Sequence, residues 1–227
     1  MEGDYMKIYH EFTVSKNLID LFRNHEYERY VLYMMEKSQK VFPGEYEMVK
    51  EQSHGECDFI EVNSNAQYDA KLPFYKEQLE LLTDGKRHKP QIQEWIKIMQ
   101  TEASDFNPLT IRNNQDYDIA ETKLYSIMKE AVLKDNVDEH IIFFLPYPIA
   151  FSINGNGFSQ SCTDYLKAIY NRLTDDICLK DRRIFVIYPA SEKNEFVLRD
   201  LSADNIEFIF CQELEKYFSF ELVGMAR

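Results

Sequence analysis

The run HIIFFLPYP, residues 140–148, limits the fold more than any other part of the chain. It has the length of a strand and is apolar almost throughout, without the alternation that would leave one face to water, so it reads as a central strand buried on both faces of a sheet. Such a strand needs a covering layer on each side, and the flanking sequence supplies candidates. Residues 15–41, SKNLIDLFRNHEYERYVLYMMEKSQKV, open on a capping serine and place Leu18, Leu21, Phe22, Leu32 and Met35 at helical spacing until Pro43-Gly44 stops them. Three strand-like pieces at 46–51, 57–63 and 67–72 follow, separated by polar turns, and read as an antiparallel meander. From 75 to 134 the pattern turns helical, with breaks at DGKRHKP and SDFNP, both rich in residues that end helices. After the central strand come a helix over 159–173 and strands over 182–189, 195–201 and 206–212. This order predicts an α/β fold with a mixed central sheet flanked by helices, in a single domain over 1–227 with a helical insertion around 75–135.

The 227 residues are 44% hydrophobic and 14% aromatic, ample for one packed core. No apolar run reaches the roughly 18 residues that suggest a membrane span, and MEGDYMKIYHEF lacks the basic-then-apolar layout of a secretory signal. The expectation is a cytoplasmic protein with no membrane partner. Cys57, Cys162, Cys178 and Cys211 are widely spaced, without CxxC, which suits free thiols rather than a zinc site. A formal charge of −13 weighs against a protein that coats nucleic acid non-specifically, so any nucleic-acid role needs a local basic patch. Lys86, Arg87 and Lys89, in the loop KRHK, are the candidates nearest the motif described next, as contacts to substrate phosphates.

HGECDFIEVNSNAQYDAKLPF, residues 54–74, puts acids where a buried strand would carry apolar side chains. A two-residue hairpin turn at Ser64-Asn65 opposes Asp58 to Lys71 and Ile60 to Asp69. Because side chains alternate with period two, Asp58, Asp69 and Lys71 then share one face, with neighbouring Cβ atoms roughly 4.5–8 Å apart. Two carboxylates at that separation suit Mg²⁺ (or Mn²⁺), a hard cation that takes one or two protein carboxylates and leaves room for water and phosphate oxygens. The lysine adds positive charge beside a scissile phosphate. The plainer reading is a surface hairpin with an Asp58–Lys71 ion pair worth about 0–1 kcal/mol. Against it stand the apolar neighbours Cys57, Phe59, Val62, Tyr68, Ala70 and Leu72, since acids in buried strands need a partner or a metal.

D-x10-D-x-K on adjacent strands resembles the PD-(D/E)XK nuclease superfamily, and Gly55-Glu56-Cys57-Asp58-Phe59-Ile60 is similar to the entry to its first motif strand. Cys57 stands where the family often has proline, and Asp69 where it more often has glutamate. The resemblance covers mainly residues 15–75 and implies a restriction endonuclease-like αβββαβ core. It also implies a magnesium-dependent DNA-binding hydrolase that cleaves phosphodiester bonds, acting on DNA ahead of RNA. By the same resemblance Asp58, Asp69 and Lys71 are catalytic, Glu28 in EYERYV is an additional acidic metal ligand beside Asp58 and Asp69, and Gln78 orients substrate. A homodimer or larger complex is compatible with it. The alternative function is a nuclease-like fold without activity that serves as a protein-interaction module, which the acidic charge would suit.

Overall fold

The computed structural model describes residues 7–14, 27–49, 56–73, 109–134, 139–145, 150–152, 158–190 and 195–211. In chain order they form strand β1 (Lys7–Val14), helix α1 (Tyr27–Lys37), strands β2 (Tyr46–Met48), β3 (Phe59–Glu61), β4 (Gln67–Lys71) and β5 (Leu109–Asp116), helix α2 (Tyr117–Lys134), strands β6 (Glu139–Phe144) and β7 (Ala150–Ser152), helix α3 (Phe158–Asp176), and strands β8 (Ile184–Pro189), β9 (Glu195–Asp200) and β10 (Asn205–Phe210). The class is mixed α/β. A seven-stranded mixed sheet runs in the order β10-β9-β8-β6-β4-β3-β2, and a three-stranded sheet runs β5-β1-β7.

The apolar run at 140–148 is the middle of the larger sheet. In β6, Ile141, Ile142, Phe143 and Phe144 are all fully buried, and β6 pairs in parallel with both β4 and β8. The remaining pairings in that sheet are antiparallel. Parallel neighbours need crossovers, and right-handed crossovers that step the same way from β4 to β6 to β8 put their helices on one face. There α2 and α3 touch: the Tyr125 hydroxyl donates to Asp176, and the Arg172 guanidinium lies 4.1 Å from the centre of the Tyr125 ring. On the other face α1 buries Val31, Met34 and Met35, and Phe42 after it packs on Tyr46, Tyr68 and Phe185 with ring centres 4.5–6.2 Å apart.

Strand β10 reaches back to α1. The Glu207 carboxylate on β10 accepts the Ser38 hydroxyl at 2.6 Å and the backbone N–H groups of Gln39, Lys40 and Val41 at 3.0, 3.0 and 3.4 Å. These donors lie just beyond the C-terminus of α1, where the chain must turn. Although burial works in the opposite direction, the four hydrogen bonds hold the Glu207 carboxyl below its ordinary value.

Two expectations change. Residues 109–116 form a strand rather than part of a helical insertion, because pairing with β1 along its whole length outweighs the local helical pattern. Strands β1 and β7 were not anticipated. The expected helical stretches at 15–26 and 75–108 lie outside the described residues, whereas α2 falls where a helix was expected. Among the described residues no helix is long and apolar enough to cross a membrane.

Candidate functional site

The site forms where β3 and β4 part. Phe59 pairs with Tyr68 and Ile60 with Gln67, so opposed numbers sum to two less than a turn at Ser64-Asn65 alone requires. The turn is longer than expected. The Glu61 N–H donates to the Ala66 carbonyl at 2.9 Å, Asn65 takes a left-handed φ of 58°, and the Ser64 hydroxyl donates to the Glu61 carboxylate at 2.5 Å. Asparagine tolerates that backbone conformation because its short side chain bonds locally. A slip of two residues keeps every side chain on its face. The paired register ends at Phe59, and continued by one residue it would set Asp58 opposite Asp69 rather than Lys71.

Beyond Phe59 the regular ladder ends. Asp58 donates its N–H to the Tyr68 carbonyl at 2.9 Å, and its carboxylate Oδ2 accepts the Ala70 N–H at 2.7 Å. Asp58 and Asp69 are both buried, at 7% and 8% exposure. Burial, reinforced by the hydrogen bond and charge of Asp58, pushes the Asp69 carboxyl up from 3.8 to about 6, although Lys71 pulls it down. The Lys71 ammonium sits 2.5 Å from Asp69 Oδ2 and remains partly open to solvent. Two touching carboxylates and a lysine thus occupy one spot.

Glu28 enters from α1. It is 8% exposed, next to Tyr27, whose phenol is raised by burial first and then by the charges of Glu28, Asp58 and Asp69. The negative charges of all three carboxylates thus act on one hydroxyl. Gln78, Lys86, Arg87 and Lys89 lie outside the described residues.

Glu139 on β6 is a further buried acid. Parallel pairing sets it beside Gln67, on the same face as Asp69, and it is 3% exposed. Burial first, then the charge of Glu139, with smaller contributions from Asp58 and Asp69, raises the Cys57 thiol. In sequence Glu139 looks like a polar flank of the apolar run. The only hint was its adjacency to a strand that had to be central.

The donor set suits a hard cation. Asp58 and Asp69 offer carboxylate oxygens alone, and one or two carboxylates are the usual protein share of a Mg²⁺ shell. Among the described residues, no group of three or more His, Cys, Asp or Glu side chains is gathered as a cation cage. Glu28 on α1 and Glu139 on β6 are two further buried carboxylates among the described residues. No family model matches the chain, and no curated protein or solved structure shows significant similarity to it.

Proposed function

We propose that the chain is a metal-dependent nuclease that hydrolyses phosphodiester bonds in DNA. The observation that carries this reading is the contact of two buried carboxylates, Asp58 and Asp69, with Lys71 2.5 Å from Asp69 at the parting of β3 and β4. The order α1-β2-β3-β4-β5-α2-β6, in which β5 belongs to the smaller sheet and β6 is parallel to β4, supports a restriction endonuclease-like core of the PD-(D/E)XK type.

A bound Mg²⁺ or Mn²⁺ would supply Lewis acidity toward a phosphate oxygen and toward the attacking water. The protein's part is electrostatic positioning. Asp58 and Asp69 would hold the cation, and Asp58 is itself fixed by the Ala70 N–H. Lys71, half exposed beside them, would leave Asp69 for the negative charge that builds on the phosphate as water adds and the ester oxygen departs. Glu28 would add negative potential on the side of α1.

Cleavage of single- and double-stranded DNA with Mg²⁺, Mn²⁺ and Ca²⁺ tests this. Cutting should need Mg²⁺ or Mn²⁺, while Ca²⁺, with looser coordination, should bind without efficient turnover. Asp69→Ala and Lys71→Ala should each lower the rate by about 10²–10³ while the circular dichroism spectrum stays the same. Cutting that survives chelation or either substitution would refute the assignment. A protein that neither cuts nor binds DNA would favour the interaction module, to which the charge of −13 is suited.

A further inference from the structure

Both backbone polar groups of Ala70, the residue between Asp69 and Lys71, are held by side chains. In a strand the N–H and C=O of one residue point to the same side, and those of Ala70 point toward β3, while its neighbours' groups point toward β6. The described ladder of β3 stops at Phe59, so no β3 backbone partner continues opposite Ala70. Asp58 Oδ2 accepts its N–H at 2.7 Å, and the Tyr27 hydroxyl donates to its carbonyl at 3.2 Å. Tyr27 is 4% exposed, and its ring stacks on Phe144 with centres 6.3 Å apart.

The geometry points to Tyr27 as a positioning residue that, with Asp58, grips the Ala70 peptide and so sets where Asp69 and Lys71 stand relative to Asp58 and Glu28. This rests on the nuclease reading for its catalytic consequence, but the grip itself does not. A carbonyl left in a buried strand without its donor pulls toward water or another donor, and the peptide turns with it. Asp69 and Lys71, one residue to either side, turn as well. Displacements of about 1 Å in such constellations are enough to lower a rate by about 10²-fold.

Tyr27→Phe tests this while keeping the ring and its stacking. Three quantities are compared between the variant and the natural protein at equal folded fraction: hydrogen exchange at the Ala70 amide, Mn²⁺ affinity by calorimetry, and kcat and KM for DNA cleavage. The expected result is faster Ala70 exchange, Mn²⁺ binding weakened about tenfold, and kcat lowered at least tenfold with KM for DNA little changed. A variant with the same Ala70 exchange and the same Mn²⁺ affinity overturns the proposal, whatever its thermal stability. If the natural protein does not cleave DNA, the nuclease reading fails, and amide exchange together with Mn²⁺ affinity still decides for or against the grip.

Discussion

Replacing Asp69 by asparagine separates what this carboxylate does for the fold from what it would do for chemistry. Its carboxyl titrates at about 6 rather than 3.8, first because it is buried and then because Asp58 is against it. An acid whose pKa is raised on folding binds its proton more tightly in the folded state, so its ionisation costs stability as pH climbs from about 4 to about 6, and that cost persists above 6. At about 1.4 kcal/mol per pH unit the full cost is about 3 kcal/mol, and part of it is offset by hydrogen bonds that asparagine makes less well. Asp69→Asn should therefore stabilise the protein at pH 7.5 by about 1–3 kcal/mol. That is a rise in Tm of roughly 2–12 °C for a chain of this size. The gain should shrink toward zero near pH 4, where both side chains are neutral. Thermal or urea denaturation at pH 4.5 and 7.5, with and without Mg²⁺, provides the measurement. In the natural protein Mg²⁺ should raise Tm by binding only the folded state, and the Asn variant should lose most of that rise. An Asn variant less stable than the natural protein at pH 7.5, or a difference that does not change with pH, would refute the reasoning.

Two other perturbations give separate readouts. Glu207→Ala removes the acceptor for four donors around Ser38–Val41 and should cost about 1.5–3 kcal/mol in urea denaturation, as loss of hydrogen bonds to a charged group does; a loss below half a kcal/mol would show that water serves those donors equally well. Neutralising Lys86, Arg87 and Lys89 together should weaken DNA binding and, if all three contact phosphates, flatten the slope of log affinity against log salt by about 2–3. An unchanged slope would remove that loop from the binding surface.

The parts of the fold that follow local rules were legible in the sequence. Period-two alternation put Asp69 and Lys71 on one face of β4, and the error of two in the β3–β4 register did no harm to the paired residues because an even slip preserves the face. The error came from the turn, where Asn65 adopts a left-handed conformation and lengthens the loop, a choice that residue type permits without dictating. Glu139 was missed because nothing local distinguishes an acid that flanks a strand from one that its parallel neighbour buries. Tyr27 and Ala70 are 43 residues apart, and no spacing rule joins an aromatic residue at the start of a helix to a carbonyl on the third strand after it. The strand at 109–116 was read as helical because its partner, β1, lies roughly a hundred residues earlier in the chain and leaves no mark on the local pattern.

The clasp between Glu207 and the end of α1 also sets an order on events during synthesis. Ser38 and Glu207 are 169 residues apart. At about 5–20 residues per second, roughly 8–34 s separate translation of α1 from translation of its acceptor. Through that interval the helix carrying Tyr27 and Glu28 has its first partners in β2–β4 but lacks the carboxylate that finishes its C-terminal turn. Asp58 and Asp69 can be brought together early, within one hairpin. The C-terminal turn of the helix beside them is finished only when β10 arrives, so a nascent chain would complete its acidic pair well before it completes that turn.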